Sequence, residues 1–560
     1  MKNLLNTFAL LLLSTLAFGQ VPHTFTSGET ISSSQMNENF NYLLSRSGGI
    51  NEKTVDCGSD GNGSGIQKAI DEGFNSIIVK GHCLENLSQK TGNLLSLIIL
   101  RGYHNDKLLD KIFDNSSNNE KLIDFGPSSF LKIDNLTLSG GSKSVVTRAN
   151  STLWGKNLII ESYTEKGIEI TESSVGWMFD IKVDGTKQGT DEVGIQIHNN
   201  SFGYINGDNV INANNSSSGG LSVGDASSVW ITGNLSMDSN KQSLVIESGG
   251  AMGFFNSNTT ITNSIDYGIK AYFGKIWNYG TMSISDNNDG DYAVLIDRSG
   301  AYLANMTITG GTGNDPLLGI YNSYSTVIEN SSIKNHSGNL LNINRSVVEF
   351  EGENNFSNDS MVNSCFIYAG DSTINFKGQT TLNGTNNEDC STLSLFRSQG
   401  AIENVIITSP NDALYLVSSK FRIKGGTFSS TGGSNNAISI RENSSLRIES
   451  QNDINITSTG NDEALEIKDS SYASIRKNDG NLNISNSNPD NIMDIEVDGL
   501  SLLKIKNDTT VLGSISIGLS SNLIIEENSS VGDLFCSPSA DGYLDITSVI
   551  NGSNNCPFGD

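Results

Sequence analysis

The sequence predicts an all-β fold, a right-handed parallel β-helix of about 16 coils of ~25 residues, entered through a short N-terminal capping helix. Three observations predict it. First, one small motif keeps returning: apolar, any residue, apolar, then a polar run of Ser, Asn, Asp and Gly. GIEITESS at 167–174 and GIQIHNNS at 194–201 are two copies. Its second apolar residue recurs at Ile170, Ile197, Val223, Ile246, Ala271, Ile296, Ile320, Ile343, Tyr368, Leu395, Leu416, Ile440, Ile467, Ile495 and Ile517, in steps of 21 to 28 residues. Second, each copy is followed by further short alternating runs, so one period holds about three strands and two or three turns. Third, glycine is abundant (58) and proline scarce (7), which suits short strands joined by tight turns. A period near 25 is too short for a four-stranded propeller blade. The LxxLxLxxN spacing of leucine-rich repeats is missing.

The elements follow in chain order. Residues 1–19, MKNLLNTFALLLLSTLAFG, combine Lys2, an apolar run through Leu13 and the small-residue site Ala17-Phe18-Gly19. That is the layout of a secretory signal peptide cut near Gly19. Residues 20–50 form a leader in which Met36, Phe40, Leu43 and Leu44 share one face of a short helix. Residues 51–100 hold the N-terminal cap and first coil. There SGIQKAIDEGF places Ile66, Ala69, Ile70 and Phe74 on one helical face, with Ser64 as the expected N-cap. Residues 101–530 are the β-helix proper. In its repeat at 167–193, Ile168 and Ile170 face one way and Glu169 the other, and a second alternating strand runs Trp177, Phe179, Ile181, Val183. Residues 531–560 form a C-terminal cap. The six cysteines fall into three local pairs, Cys57 with Cys83, Cys365 with Cys390 and Cys536 with Cys556. An even count in an exported chain reads as disulfides, and separations near one repeat would staple a coil to its neighbour.

The segment VDCGSDGNGSGIQKAIDEGFNSIIVKGHCLEN, with its IQ-AI helix, following strand and Gly-x-Cys turn, resembles the opening of secreted pectin-lyase-like right-handed β-helix repeat proteins. The likeness is specific for about 50 residues, and the repeat extends it along the chain. The leader is similar to short segments that precede secreted β-solenoids and some phage-fibre-like proteins. The resemblance implies a protein of the extracellular space or surface of a bacterium.

The resemblance also implies chemistry to look for. Many such folds are polysaccharide lyases or glycoside hydrolases, which need paired carboxylates or a base beside a calcium-bound uronate. The pectin hydrolase set of Asn-Thr-Asp, Asp-Asp, Gly-His-Gly and Arg-Ile-Lys is missing apart from an isolated Arg422-Ile423-Lys424. The Trp-Ile-Asp-His signature of pectate lyases is missing too, and the five histidines are scattered. A net charge of −26 argues against nucleic acid and anionic membranes as partners, and no later stretch is long and apolar enough to span a bilayer.

What remains are columns, because a solenoid turns one position per repeat into a line. Asp266, Asp291 and Asp315 each precede the first inward residue of a strand by three; stacked carboxylates repel, and Ca²⁺ would relieve them, though Asp also simply caps turns. Arg298, Arg345 and Arg397 follow the inward position by two, a spacing suited to acidic groups of a polysaccharide or to solvated arginines paired with residues such as Asp297. Tyr272, Tyr321 and Phe396 follow it by one, and rings in a row stack on sugars or pack the corner of a coil. The expected function is a secreted, non-catalytic β-helix that binds a polysaccharide or surface glycan by repeated weak contacts. The alternatives are an atypical lyase or hydrolase using Arg298, Arg345 and Asp297, and a structural stalk without a ligand.

Overall fold

In the computed structural model, the described residues are 50–556, apart from 62, 89–96, 115–120, 186–192, 213–218, 250, 286–291, 311–314, 335, 337, 359–365, 385–390, 433–434, 489–492 and 546. The signal peptide, the leader and the Cys365–Cys390 pair lie outside them. The chain winds as an all-β parallel solenoid with three faces. One coil supplies Lys166–Ile170 to the first face, Val175–Phe179 to the second and Lys182–Asp184 to the third. All three strands of this coil pair in parallel with their equivalents one coil before and after. Among the described residues the first face is a ladder of nineteen strands. The other two faces merge into one hydrogen-bonded network because some strands, such as Ser228–Asp238 and Thr373–Gly384, run straight round the corner between them.

The expected repeat register is the observed one. Ile170, Ile197, Val223, Ile246, Ala271, Ile296, Ile320 and Ile343 lie directly opposite one another on successive coils. All eight are buried. Two positions differ. Ala369, not Tyr368, continues the inward row, because Ile367 and Ala369 point inward and the tyrosine points out. Val497, not Ile495, follows Ile467, because both Met493-Asp494-Ile495 and Ile495-Glu496-Val497 fit the apolar pattern. One coil buries too few side chains to offset the ordering of about 25 residues at roughly 1–2 kcal/mol each, so each coil is held by its neighbours.

The second strand holds a further difference. In Val175–Phe179, Gly176 and Met178 point inward and Trp177 and Phe179 outward, while Ile181 and Val183 beyond them are buried. Asp180 sits at the corner with φ 55°, and this left-handed residue resets the alternation. The single alternating run Trp177, Phe179, Ile181, Val183 is therefore broken at the corner, the two rings facing out and the two aliphatic residues in.

At the N-terminal end, helix Ile66–Asp71 buries Ile66 and Ala69 against the first coils, with Ile70 and Phe74 partly covered. Its cap is not Ser64. Gly65 occupies the N-cap position, and the buried carboxylate of Glu85 accepts the backbone N–H groups of Gly65, Ile66 and Gln67 at 2.8, 2.7 and 3.0 Å. The helix start is thus satisfied by an anion brought in from the next turn of chain. Cys57–Cys83 joins neighbouring turns here, with Cα atoms 5.1 Å apart. At the other end the repeat shortens: Val497, Ile517 and Cys536 stack, and the two-residue strands Thr510–Val511, Ser530–Val531 and Val549–Ile550 form their own small sheet. Cys536–Cys556 joins the last coils at a Cα separation of 4.9 Å, close to the strand spacing.

The turn from the first face to the second carries a ladder that was not expected. Each turn uses one or two left-handed residues and then a buried serine: Arg298 then Ser299, Asn322 then Ser323, Arg345 then Ser346, Asp371 then Ser372, Arg397 then Ser398. The backbone N–H of each serine donates to the hydroxyl of the serine one coil on, from Ser299 to Ser323, Ser346, Ser372, Ser398, Ser419, Ser444, Ser471, Ser501 and Ser521. From Ser299 to Ser419 the same hydroxyl donates to the carbonyl two residues before it. An earlier run joins Ser129, Ser151, Ser174, Ser201 and Ser227; Ala251 and Gly274 interrupt the series, the N–H of Gly274 donating to the Ser299 hydroxyl. Ser372→Ala would strip the acceptor from the buried N–H of Ser346. We expect it to lower stability by about 1–3 kcal/mol in urea unfolding, whereas serine to alanine at exposed Ser283, on an outward strand position, should change it by no more than about 0.5 kcal/mol.

Candidate functional site

Outward positions also stack, so each face shows its side chains in straight columns. On the second face one column reads Lys132, Trp154, Trp177, Tyr204, Trp230, Phe254, Trp277, Tyr302 on eight successive coils. It contains all four tryptophans of the chain. The placement follows from alternation: in Thr152–Lys156 the buried Leu153 and Gly155 flank Trp154, in Gly300–Ala304 the buried Ala301 and Leu303 flank Tyr302, and the ring between inward neighbours must point out. The rings are half-buried and extend over roughly 30 Å of axis.

The rings lean on one another. Phe254 and Trp277 stack at 4.7 Å with planes 7° apart, while Trp177 and Tyr204 are tilted at 5.2 Å and Tyr204 meets Trp230 edge-on at 6.4 Å. Flanking rings widen the stripe: Phe179 lies beside Trp154 and Tyr204, Phe202 beside Trp177, and exposed Tyr279 beside Tyr302. Lys132 covers the first ring, its Nζ 4.5 Å from the Trp154 centroid. None of the four indole N–H groups donates to an acceptor among the described residues. The result is an apolar strip with polar ring edges, a surface that can stack on the C–H faces of a ligand and hydrogen-bond its hydroxyls.

The residues singled out from sequence lie elsewhere, at the edge of the first face. Arg298, Arg345 and Arg397 occupy one turn position on alternate coils, all with left-handed φ near 50°, with Asn322 and Asp371 between them. They are not equivalent. Arg298 donates to the Tyr272 hydroxyl at 3.0 Å and lies over the rings of Tyr272 and Phe273. Arg397 grips Asp371 through Nε and Nη2 at 2.9 and 3.0 Å. Arg345 has no ion-pair partner among the described residues. Tyr272, Asp297, Tyr321 and Phe396 do share one column. In it Asp297 accepts from Asn322 at 3.1 Å, the Tyr321 hydroxyl meets that of Tyr292 at 3.0 Å, and Phe396 stacks on Tyr368 at 5.2 Å. Asp291 lies outside the described residues, Asp266 is ion-paired with Lys241 at 3.3 Å, and the Asp315 carbonyl accepts from His336. The metal-like grouping found among the described residues is Cys57, Cys83 and Glu85; its sulfurs are in a disulfide and its carboxylate holds the helix start.

No protein-family model matches this chain, and no curated protein matches it in sequence. Among the described residues no helix is long and apolar enough to cross a membrane.

The first face also carries buried charge. Glu169 points outward from it yet is nearly covered, ringed by Lys143, Lys166 and His198 at 2.8, 2.5 and 3.2 Å. Burial pushes its carboxyl up, but the hydrogen bonds from His198, Lys143 and Lys166 outweigh it and hold the group well below the usual carboxylate range. Farther along, Glu466 is held by Arg441 and Lys468, each at 2.7 Å. Beside it burial pushes Asp412 up to about 7, against one hydrogen bond from the Asn436 N–H. The ordinary aspartate value is 3.8. Between 3.8 and about 7 the unfolded chain releases this proton while the folded chain keeps it, so the stability contributed by Asp412 falls as pH rises through that window. Asp412→Asn should therefore match wild type near pH 4 and become the more stable protein by pH 8, by up to about 4 kcal/mol. Thermal melts across this range check it, and a gap that does not grow with pH would contradict the assignment.

Proposed function

We propose that this protein is a non-catalytic, extracellular β-solenoid that binds glycans along its second face, with Trp154, Trp177, Tyr204, Trp230, Phe254, Trp277 and Tyr302 as the binding strip. One observation carries the reading: every tryptophan of the chain lies in a single outward column, and the coils between them place Tyr204 and Phe254 in the same column. Core packing does not require rings there, since the hollow of the solenoid is filled by the inward row, mostly aliphatic with some phenylalanine. An apolar row of this length on a polar surface marks an interaction site. Its geometry suits a linear polymer, because equivalent rings recur at the strand spacing and each adds a small stacking energy. Export is supported by the signal-like start and by two disulfides. The arginine row at the turn is not the carrier of this reading, because Arg298 and Arg397 are already engaged by their neighbours.

The placement of the tryptophans provides the assay. Intrinsic fluorescence reports almost wholly on the strip, so a bound oligosaccharide should shift or quench the emission. Trp177→Ala with Trp230→Ala should lower affinity for that glycan about tenfold or more while the chain stays folded by circular dichroism. A panel of neutral and acidic glycans that leaves the emission unchanged throughout would overturn the reading.

A further inference from the structure

The column that carries the rings changes character along the rod. After Tyr302 it continues through Val327, Glu349, Asn375 and Ala401 to Arg422 and Arg447. Arg422 and Arg447 are direct neighbours on adjacent strands, an arrangement of like charges that strand pairing itself disfavours. Two residues along, Glu449 pairs with Arg476 of the next coil. All three guanidinium groups converge on the Glu449 carboxylate: Arg422 hydrogen-bonds Oε2, while Arg447 Nε and Arg476 Nη2 lie 3.3 and 3.2 Å from Oε1. Glu449 is fully buried, and its three partners remain between 29% and 55% exposed at the side chain.

One carboxylate among three guanidiniums leaves two positive charges on the surface. The Nε groups of Arg422 and Arg476 are buried without an acceptor, so the donors left to a ligand are the more exposed atoms of the cluster. Lys420 and Lys506, on the same face, have no carboxylate at ion-pair distance among the described residues, whereas Lys424 and Lys504 are matched by Glu403 and Glu526. The turns on either side carry Glu442, Asp469, Asp508 and Glu527. The cationic ground is therefore confined to the strand surface, within a chain of net charge −26.

We infer that Arg422, Arg447 and Arg476, oriented by Glu449, form an oxyanion site for the sulfate esters of a polysaccharide. Glu449 is a positioning residue: it is buried out of reach of ligand and holds the three guanidinium groups together on adjacent strands. A sulfate ester offers three terminal oxygens to such a tripod, and a uronate carboxylate only two. The acidic turns hold the polymer to the line of the column. The site is separate from the aromatic strip, about five coils away, and does not require the strip to bind glycan.

The test is calorimetric titration of the full chain with dextran sulfate oligomers at low ionic strength, with neutral dextran and oligogalacturonate as comparison ligands. Wild type should bind dextran sulfate, bind oligogalacturonate more weakly and ignore dextran. Arg422→Gln with Arg447→Gln should lose about tenfold or more in affinity. Lys68→Gln with Lys182→Gln makes the same change in net charge at exposed sites elsewhere and should bind as wild type. Arg447→Gln alone, at the most exposed of the three, keeps the test decisive if the double variant fails to fold. The proposal is overturned if wild type does not bind dextran sulfate, if the two double variants lose affinity equally, or if oligogalacturonate binds as tightly. Tryptophan emission, which follows the distant strip, distinguishes failure here from failure of the glycan reading there.

Discussion

The constraint on which the rest of this molecule depends is coil-to-coil register, and the buried serine ladder is its most demanding expression. A hydroxyl that must accept from the preceding coil and donate within its own has no freedom to shift by a residue. The turn before it must then have a fixed exit, which explains why left-handed conformations recur there even in arginine, tyrosine-flanking phenylalanine and aspartate. Such conformations are unfavourable for ordinary side chains. They persist because the surrounding ladder over-determines them. Once that corner is fixed, the strands on both sides stack in register, and the aliphatic interior follows.

The same constraint makes surface function possible. In most folds an outward residue has neighbours set by local accident. Here an outward residue has the same neighbour, one strand away, as many times as the sequence repeats it. The second face uses this twice, as a row of rings in its first half and as a cluster of guanidinium groups in its second. The first face uses it differently, burying carboxylates such as Glu169 and Glu466 under their own counter-ions. Two faces of one rod thus offer a ligand quite different chemistry.

The fold was legible because it rests on pattern. Aliphatic residues at a fixed phase name the inward row, and thirteen of the fifteen positions read from spacing stand in the observed register. The two slips came where an alanine or a second apolar triplet blurred the phase, at Ala369 and Val497. The aromatic strip was hidden by the Asp180-type corner: alternation carried through it sends Trp177 inward. Keeping a separate phase for the second strand would have aligned Trp154, Trp177, Trp230 and Trp277. The serines were visible but were read as turn composition, since a hydroxyl's partner one coil away is not a property of its own segment. Glu85 as the cap of a helix that precedes it by almost twenty residues, and Glu449 as the centre of three arginines, depend on tertiary contact in the same way.

The staples at the two ends bear on how such a protein changes its size. Cys57–Cys83 and Cys536–Cys556 tie terminal turns, while the interior coils are joined by backbone ladders that are alike from one turn to the next. Cutting the chain at Ser398 and rejoining it at Ser419, a stretch without cysteine, would remove one turn and leave the new junction spanning a single strand spacing of about 4.8 Å. Length is therefore an adjustable quantity in this architecture. Whole turns can be gained or lost by recombination within the gene, and each one shortens or extends the ligand-facing rows without disturbing the closures at either end.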